Sequence, residues 1–151
     1  MIYDRTQQDV DEAKEIVKSK VNTFSELTED DVLILERGRM TLNTLNRIEG
    51  KTQELRAILI DMGYYMPILT IKEWIAGELF TDKEFQRILK NIGILKKAFY
   101  VYEDTPNVPE PLYHFQNVND MEKILYDLER FANELKSKYK ICGQYICGGA
   151  T

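Results

Sequence analysis

The fold class this sequence predicts is mainly α: a helical bundle of about four principal helices with long loops and a short extended or hairpin C-terminal tail. Three observations predict it. Apolar residues recur at spacings of 3 and 4, which places their side chains on one stripe of an α-helix. Cap-forming Thr or Asn residues stand ahead of those stretches. And one pattern occurs three times, at 41–59, 81–99 and 117–135, starting about 40 and 36 residues apart, a period typical of repeated helical units. Its columns are Thr41/Thr81/Asn117, Leu45/Phe85/Met121, Arg47/Arg87/Lys123, Ile48/Ile88/Ile124, Thr52/Ile92/Leu128, Leu55/Leu95/Phe131 and Leu59/Phe99/Leu135.

Taken in order, Thr6 with Asp9 three positions on is an acidic relative of the capping box and opens a helix to about Val21. Val10, Ala13, Val17 and Val21 share one face, which makes it a weaker fourth copy with Glu12 in place of the basic residue. Thr28, followed by three acids that suit a helix N-terminus, starts a short helix ending at Gly38. The longest helix follows Thr41. Its seam is Leu45, Ile48, Thr52, Leu55, Leu59 and Met62, widened by Leu42 and Ile58, and Gly63 stops it. Gly50 inside it costs about 1 kcal/mol against Ala, with close packing the usual reason for such a glycine.

Residues 64–80 carry Trp74 and Phe80 as core anchors, and 68–71 fits either a short strand or a buried extended crossing. Thr81 with Glu84 forms a capping box for a helix to about Tyr100, with Phe85, Ile88, Leu89, Ile92, Leu95 and Phe99 inward. Residues 105–111 hold three of the four prolines and read as a loop. Asn117 or Asn119 caps the last helix, whose inner face is Met121, Ile124, Leu125, Leu128, Phe131 and Leu135, extending to Tyr139. The domain reading is therefore a helical domain over 1–139 and a Gly/Cys-containing tail over 140–151, where Ile-Cys-Gly occurs twice.

Composition narrows the function. With 44% hydrophobic and 30% charged residues the chain is globular, and no apolar run is long enough to cross a membrane. The first residues lack a basic-then-apolar export signal, so none is expected. Net charge is −5; residues 1–36 hold ten acids against four basic residues, and residues 37–62 three acids against five. That opposition predicts that residues 1–36 pack against the helix of residues 37–62. It also argues against a nucleic-acid surface, which needs a concentrated basic patch.

Catalytic machinery is not evident. No nucleophile elbow, Gly-rich phosphate loop or paired-His motif occurs. The one histidine, His114, stands between Tyr113 and Phe115 and reads as a packing or surface residue rather than a general base. Cys142, Cys147 and His114 together are one short of a closed zinc site; a hairpin disulfide and free thiols are the other readings of the two cysteines. The column Arg47/Arg87/Lys123 invites an anion grip. Its plainer reading is three cations at the flanks of apolar stripes, paired with nearby acids such as Glu84 and Asp127.

Four stretches in order carry a family resemblance: Tyr3-Asp-Arg-Thr-Gln-x-Asp-Val10, Leu45-Asn-Arg-Ile-Glu-Gly50, Phe85-Gln-Arg-Ile-Leu-x-Asn-Ile92 and Val118-Asn-x-Met-Glu-Lys-Ile-Leu-Tyr-Asp-Leu128, with Trp74 between the second and third. Together they resemble tail-associated structural proteins of phages and prophages of Gram-positive bacteria, over about residues 2–149. The resemblance implies a non-enzymatic virion component of the tail or baseplate, assembled in the host cytoplasm, with no catalytic, cofactor or metal residues. Its partners would be other virion tail proteins, with self-association as a further option, and no nucleic acid, membrane or small-molecule substrate. Relatives of this kind often continue into further domains. The alternative is an intracellular bacterial helical adaptor or regulatory module. In either case Ile141, Cys142, Tyr145, Ile146 and Cys147 are the candidate assembly contacts, because apolar groups at a glycine-rich terminus suit strand addition to a neighbour.

Overall fold

The computed structural model describes residues 1–110 and 114–138. The candidate contacts Ile141, Cys142, Tyr145, Ile146 and Cys147, the tail over 140–151 and Tyr139 lie outside the described residues. Within them the fold is mainly α, with five α-helices and no strand: α1 Gln7–Ile16, α2 Glu29–Gly38, α3 Leu42–Asp61, α4 Asp82–Ala98 and α5 Phe115–Lys138. None is long and apolar enough to cross a membrane.

The helices pack in two groups. α3, α4 and α5 pack on one another, and α1 and α2 form a hairpin. The repeated pattern builds the first group. Ile48, Ile88 and Ile124 are buried in one core, joined by Leu45, Phe85 and Met121 and by Ile92, Leu95 and Leu128. The outer columns taper off: Phe131 and Leu135 are only partly buried, and Leu42, expected to widen the α3 face, is exposed.

Both hairpin helices open with complete capping boxes. The Thr6 amide donates to the Asp9 carboxylate at 2.6 Å and the Asp9 amide to the Thr6 hydroxyl; Thr28 and Asp31 repeat the exchange. α1 then widens into a π-helical turn over Val17–Val21, where the Asn22 amide reaches the Val17 carbonyl at 2.8 Å. The turn ends at Phe24, which has φ 56°. Its amide donates to Val21 and the Ser25 amide to Lys20, the Schellman pattern with Phe24 at the left-handed position. The same pattern closes α3, where the amides of Gly63 and Tyr64 donate to Ile60 and Leu59 and the left-handed residue is the glycine.

Three cap assignments change. The Thr81 hydroxyl accepts from the Glu84 amide, but the Glu84 carboxylate turns to the Arg87 guanidinium at 2.7 Å, so the box is half made. A cationic donor outcompetes a neutral backbone amide. α5 starts two residues before Asn117, with the His114 carbonyl accepting from the Asn117 and Val118 amides. Neither asparagine caps: Asn117 donates to the Glu110 carbonyl, and Asn119 exchanges two hydrogen bonds with the backbone of Arg5.

Gly38 and Gly50 trade roles. Nothing lies within 4 Å of a side chain added at Gly50, so close packing does not explain it. A side chain at Gly38 would overlap the Asp9 carbonyl and the Ala13 methyl, so Gly38 is where α1 and α2 touch backbone to backbone.

Residues 64–80 form an extended crossing with no strand, held by side chains that reach its backbone. Arg56 donates to the Pro67 carbonyl at 2.7 Å, Arg87 and Asn91 both donate to that of Thr70, and Asn46 exchanges two hydrogen bonds with the backbone of Trp74. Met66, Leu69 and Trp74 are buried while Ile68 is 92% exposed.

The opposed charges do not bring residues 1–36 onto α3. The basic side chains of α3 are already engaged: Arg47 by Glu122, Lys51 by Glu54 and Glu129, and Arg56 by the crossing. The N-terminal arm docks on α5 instead, and the basic partner of Asp4 and Asp9 is Arg37 in α2.

Candidate functional site

The basic column resolves into three ion pairs. Arg47 donates to Glu122 at 2.7 Å, Arg87 contacts Glu49 with Nη1 at 3.1 Å and with Nη2, and Lys123 lies 2.6 Å from Asp127. Glu49, Glu122 and Asp127 are all buried, at most 2% exposed. An ionised carboxylate survives there only with charge and hydrogen bonds supplied around it.

Each buried acid does a second thing: it pins a non-helical segment to the bundle. Glu122 accepts from the Ile2 amide at 3.1 Å and from Arg5 Nη1 at 2.6 Å, fixing the N-terminal arm. Glu49 accepts from the Trp74 indole at 3.4 Å, holding the crossing. Asp127 accepts from the Thr105 hydroxyl at 2.8 Å, anchoring the proline loop. The cations of the column are therefore committed to the fold and do not converge on an anion. Of the expected local pairs, Glu84–Arg87 and Lys123–Asp127 form as spaced. The burial of Glu49 and Glu122 was not legible from spacing; the signal was their place beside inward residues, Ile48 and Met121.

Arg5, Asn46, Arg47, Glu49, Arg87, Asn91, Asn119 and Glu122 all belong to the stretches that carry the family resemblance, and all are engaged in fixing segments of the fold. A contact surface must come from other residues. No group of three or more His, Cys, Asp or Glu suited to a metal occurs among the described residues, and His114 is exposed, its Nδ1 accepting from the Gln116 amide at 3.3 Å.

The crossing exposes Tyr65, Ile68, Ile75 and Leu79, and two further surface features belong to the hairpin. The first is the hairpin tip: Phe24 is 97% exposed, and Val21, Leu27, Val32 and Leu33 are exposed as well. The second is an open cleft of about 690 Å³ between the hairpin and the start of α5. Val10, Val17, Met40, Phe115 and Val118 supply its apolar surface. Its charged lining is Arg5, Lys14, Lys18, Arg37 and Arg39, with His114 at one edge and no carboxylate.

The hairpin beside the cleft is held electrostatically. The Arg37 guanidinium, with the Thr6 hydroxyl and amide, holds the Asp9 carboxyl down to about 2. The Lys20 ammonium, with Thr28, does the same for Asp31, also about 2. Arg37 is in turn pushed up from its ordinary value by Asp9.

No family model, no curated protein and no solved structure matches this chain.

Proposed function

We propose that this protein is a non-enzymatic structural component of a phage or prophage virion, tail or baseplate associated, acting through contacts with other virion proteins. The ordered sequence stretches support the virion part. The observation that carries the contact part is Phe24. A non-glycine residue in the left-handed region costs about 1–2 kcal/mol, and the equivalent position at the end of α3 is a glycine. Here the chain holds an aromatic ring in that conformation and leaves it 97% exposed, beside further exposed apolar groups. Strain kept at an exposed aromatic supports a residue retained for contact rather than for folding. In this reading the segment containing Ile141, Cys142, Tyr145, Ile146 and Cys147 is a second connector.

Mass spectrometry of purified particles from an induced lysogen tests the assignment; recovery from host cytoplasm and absence from particles overturns it in favour of an intracellular adaptor. Phe24→Gly tests the contact. It should raise stability by about 1 kcal/mol while lowering incorporation into particles. A variant that is more stable and assembles normally removes Phe24 as a contact. Removing residues 140–151 should likewise leave helix content unchanged and reduce assembly.

A further inference from the structure

We infer that the basic cleft between the hairpin and the start of α5 receives an acidic, apolar-bearing segment of a partner protein. The inference rests on the assembly reading above and names the chemistry of one partner. The chain carries 25 acidic against 20 basic residues, yet the cleft has five Lys or Arg on its walls and no carboxylate. Its surplus of positive charge is real after internal pairing is counted. Lys14 has Asp11, and Arg37 has Asp4 and Asp9. Lys18 and Arg39 are exposed and have no carboxylate partner among the described residues.

Arg5 adds an independent sign. Its side chain is 2% exposed, and Nη1 is occupied by Glu122, Asn119 and the Ile2 carbonyl. Nε and Nη2 are buried with no hydrogen-bond partner. A buried donor left unpaired is rare in native proteins, and Arg5 is among the residues that line the cleft.

The apolar surface decides between ligand classes. Val10, Val17, Met40 and Phe115 gain nothing from a phosphate backbone, whereas alternating acidic and apolar side chains satisfy walls and floor together. The net charge of −5 also repels a long polyanion. The volume lies within the about 300–1,000 Å³ of ligand clefts.

The test selects ten-residue peptides, randomised over all amino acids, on the intact chain and measures the best by fluorescence anisotropy. Acidic peptides bearing Leu, Ile or Phe should be enriched, with affinity falling as salt rises. Lys18→Glu with Arg39→Glu should weaken binding at least tenfold; both residues are exposed and unpaired, so thermal melting should stay unchanged. Enrichment of basic or uncharged peptides, no saturable binding, or equal binding by the variant overturns the inference. So does equal binding of a 20-nucleotide single strand, or self-association of the free chain that the variant abolishes, which would make the occupant a second copy. Peptide binding by a chain absent from particles would leave the cleft standing and remove the virion reading. A chain found in particles that binds no such peptide would do the reverse.

Discussion

The α1–α2 hairpin and the α3–α5 bundle share Thr caps on α1 to α4, but they are held together by different forces. The bundle buries nineteen apolar residues in one cluster. In the hairpin the only fully buried apolar side chain is Ala13, and it stands outside that cluster. The hairpin depends on backbone contact at Gly38, on two capping boxes and on the pairs Asp9–Arg37 and Asp31–Lys20. Surface pairs are worth about 0–1 kcal/mol each, against about 2–5 kcal/mol for a large core side chain. The difference teaches where the molecule opens first. The bundle is the stable unit, and the hairpin, which carries both Phe24 and one wall of the cleft, is the low-stability unit from which binding elements are drawn.

The largest expected effect breaks the link between the two regions. Glu122→Gln leaves Arg5 buried without a counter-charge and deprives Arg47, which should cost about 3–5 kcal/mol in urea unfolding. A loss under about 1 kcal/mol would mean that the arm is not held by this network. Next, Ile48→Ala, Ile88→Ala and Ile124→Ala should each cost about 2–5 kcal/mol, while Leu33→Ala in the hairpin should stay within about 0.5 kcal/mol. Unequal effects across the three isoleucines would end their equivalence as core positions.

Smaller and more local, Gly38→Ala should separate α1 from α2 at a cost of about 1–3 kcal/mol. Hydrogen exchange should show lost protection in Gln7–Ile16 and Glu29–Gly38 with Leu42–Asp61 unchanged; uniform loss would contradict the two-unit description. The smallest effect is acidification. Asp9 and Asp31 are held at about 2, below the ordinary 3.8. A depressed carboxylate contributes stability that is fully present above pH 3.8 and lost as pH falls through about 2, so the hairpin should loosen in that window. Carboxyl titration by NMR should give midpoints near 2 for both; values near 3.8 would show that the pairs are not formed in solution.

How far the sequence spoke differs between the same two regions. In the bundle, the inward residues Phe85, Ile88, Ile92, Met121, Ile124 and Leu128 could be read directly from 3–4 spacing. In the hairpin, the caps Thr6 and Thr28 were legible but the π turn and the left-handed Phe24 were not. A Schellman close is expected at glycine, and nothing local in Asn-Thr-Phe-Ser announces it. The cleft escaped as well, since its walls come from α1, the end of α2 and the start of α5.

By itself the sequence determined where the helices lie, the Thr-capped starts of the first four and the inward side of the bundle helices, because apolar period and cap chemistry act within four residues along one chain. Only the tertiary structure decided which carboxylates go inside and what they hold. Ile2 and Glu122 are 120 residues apart, Arg47 and Glu122 75, and Arg87 and Glu49 38. A charge takes the partner nearest in space, and for Arg47, Lys51 and Arg56 that partner lies on α5 or the crossing, not in the acidic N-terminus.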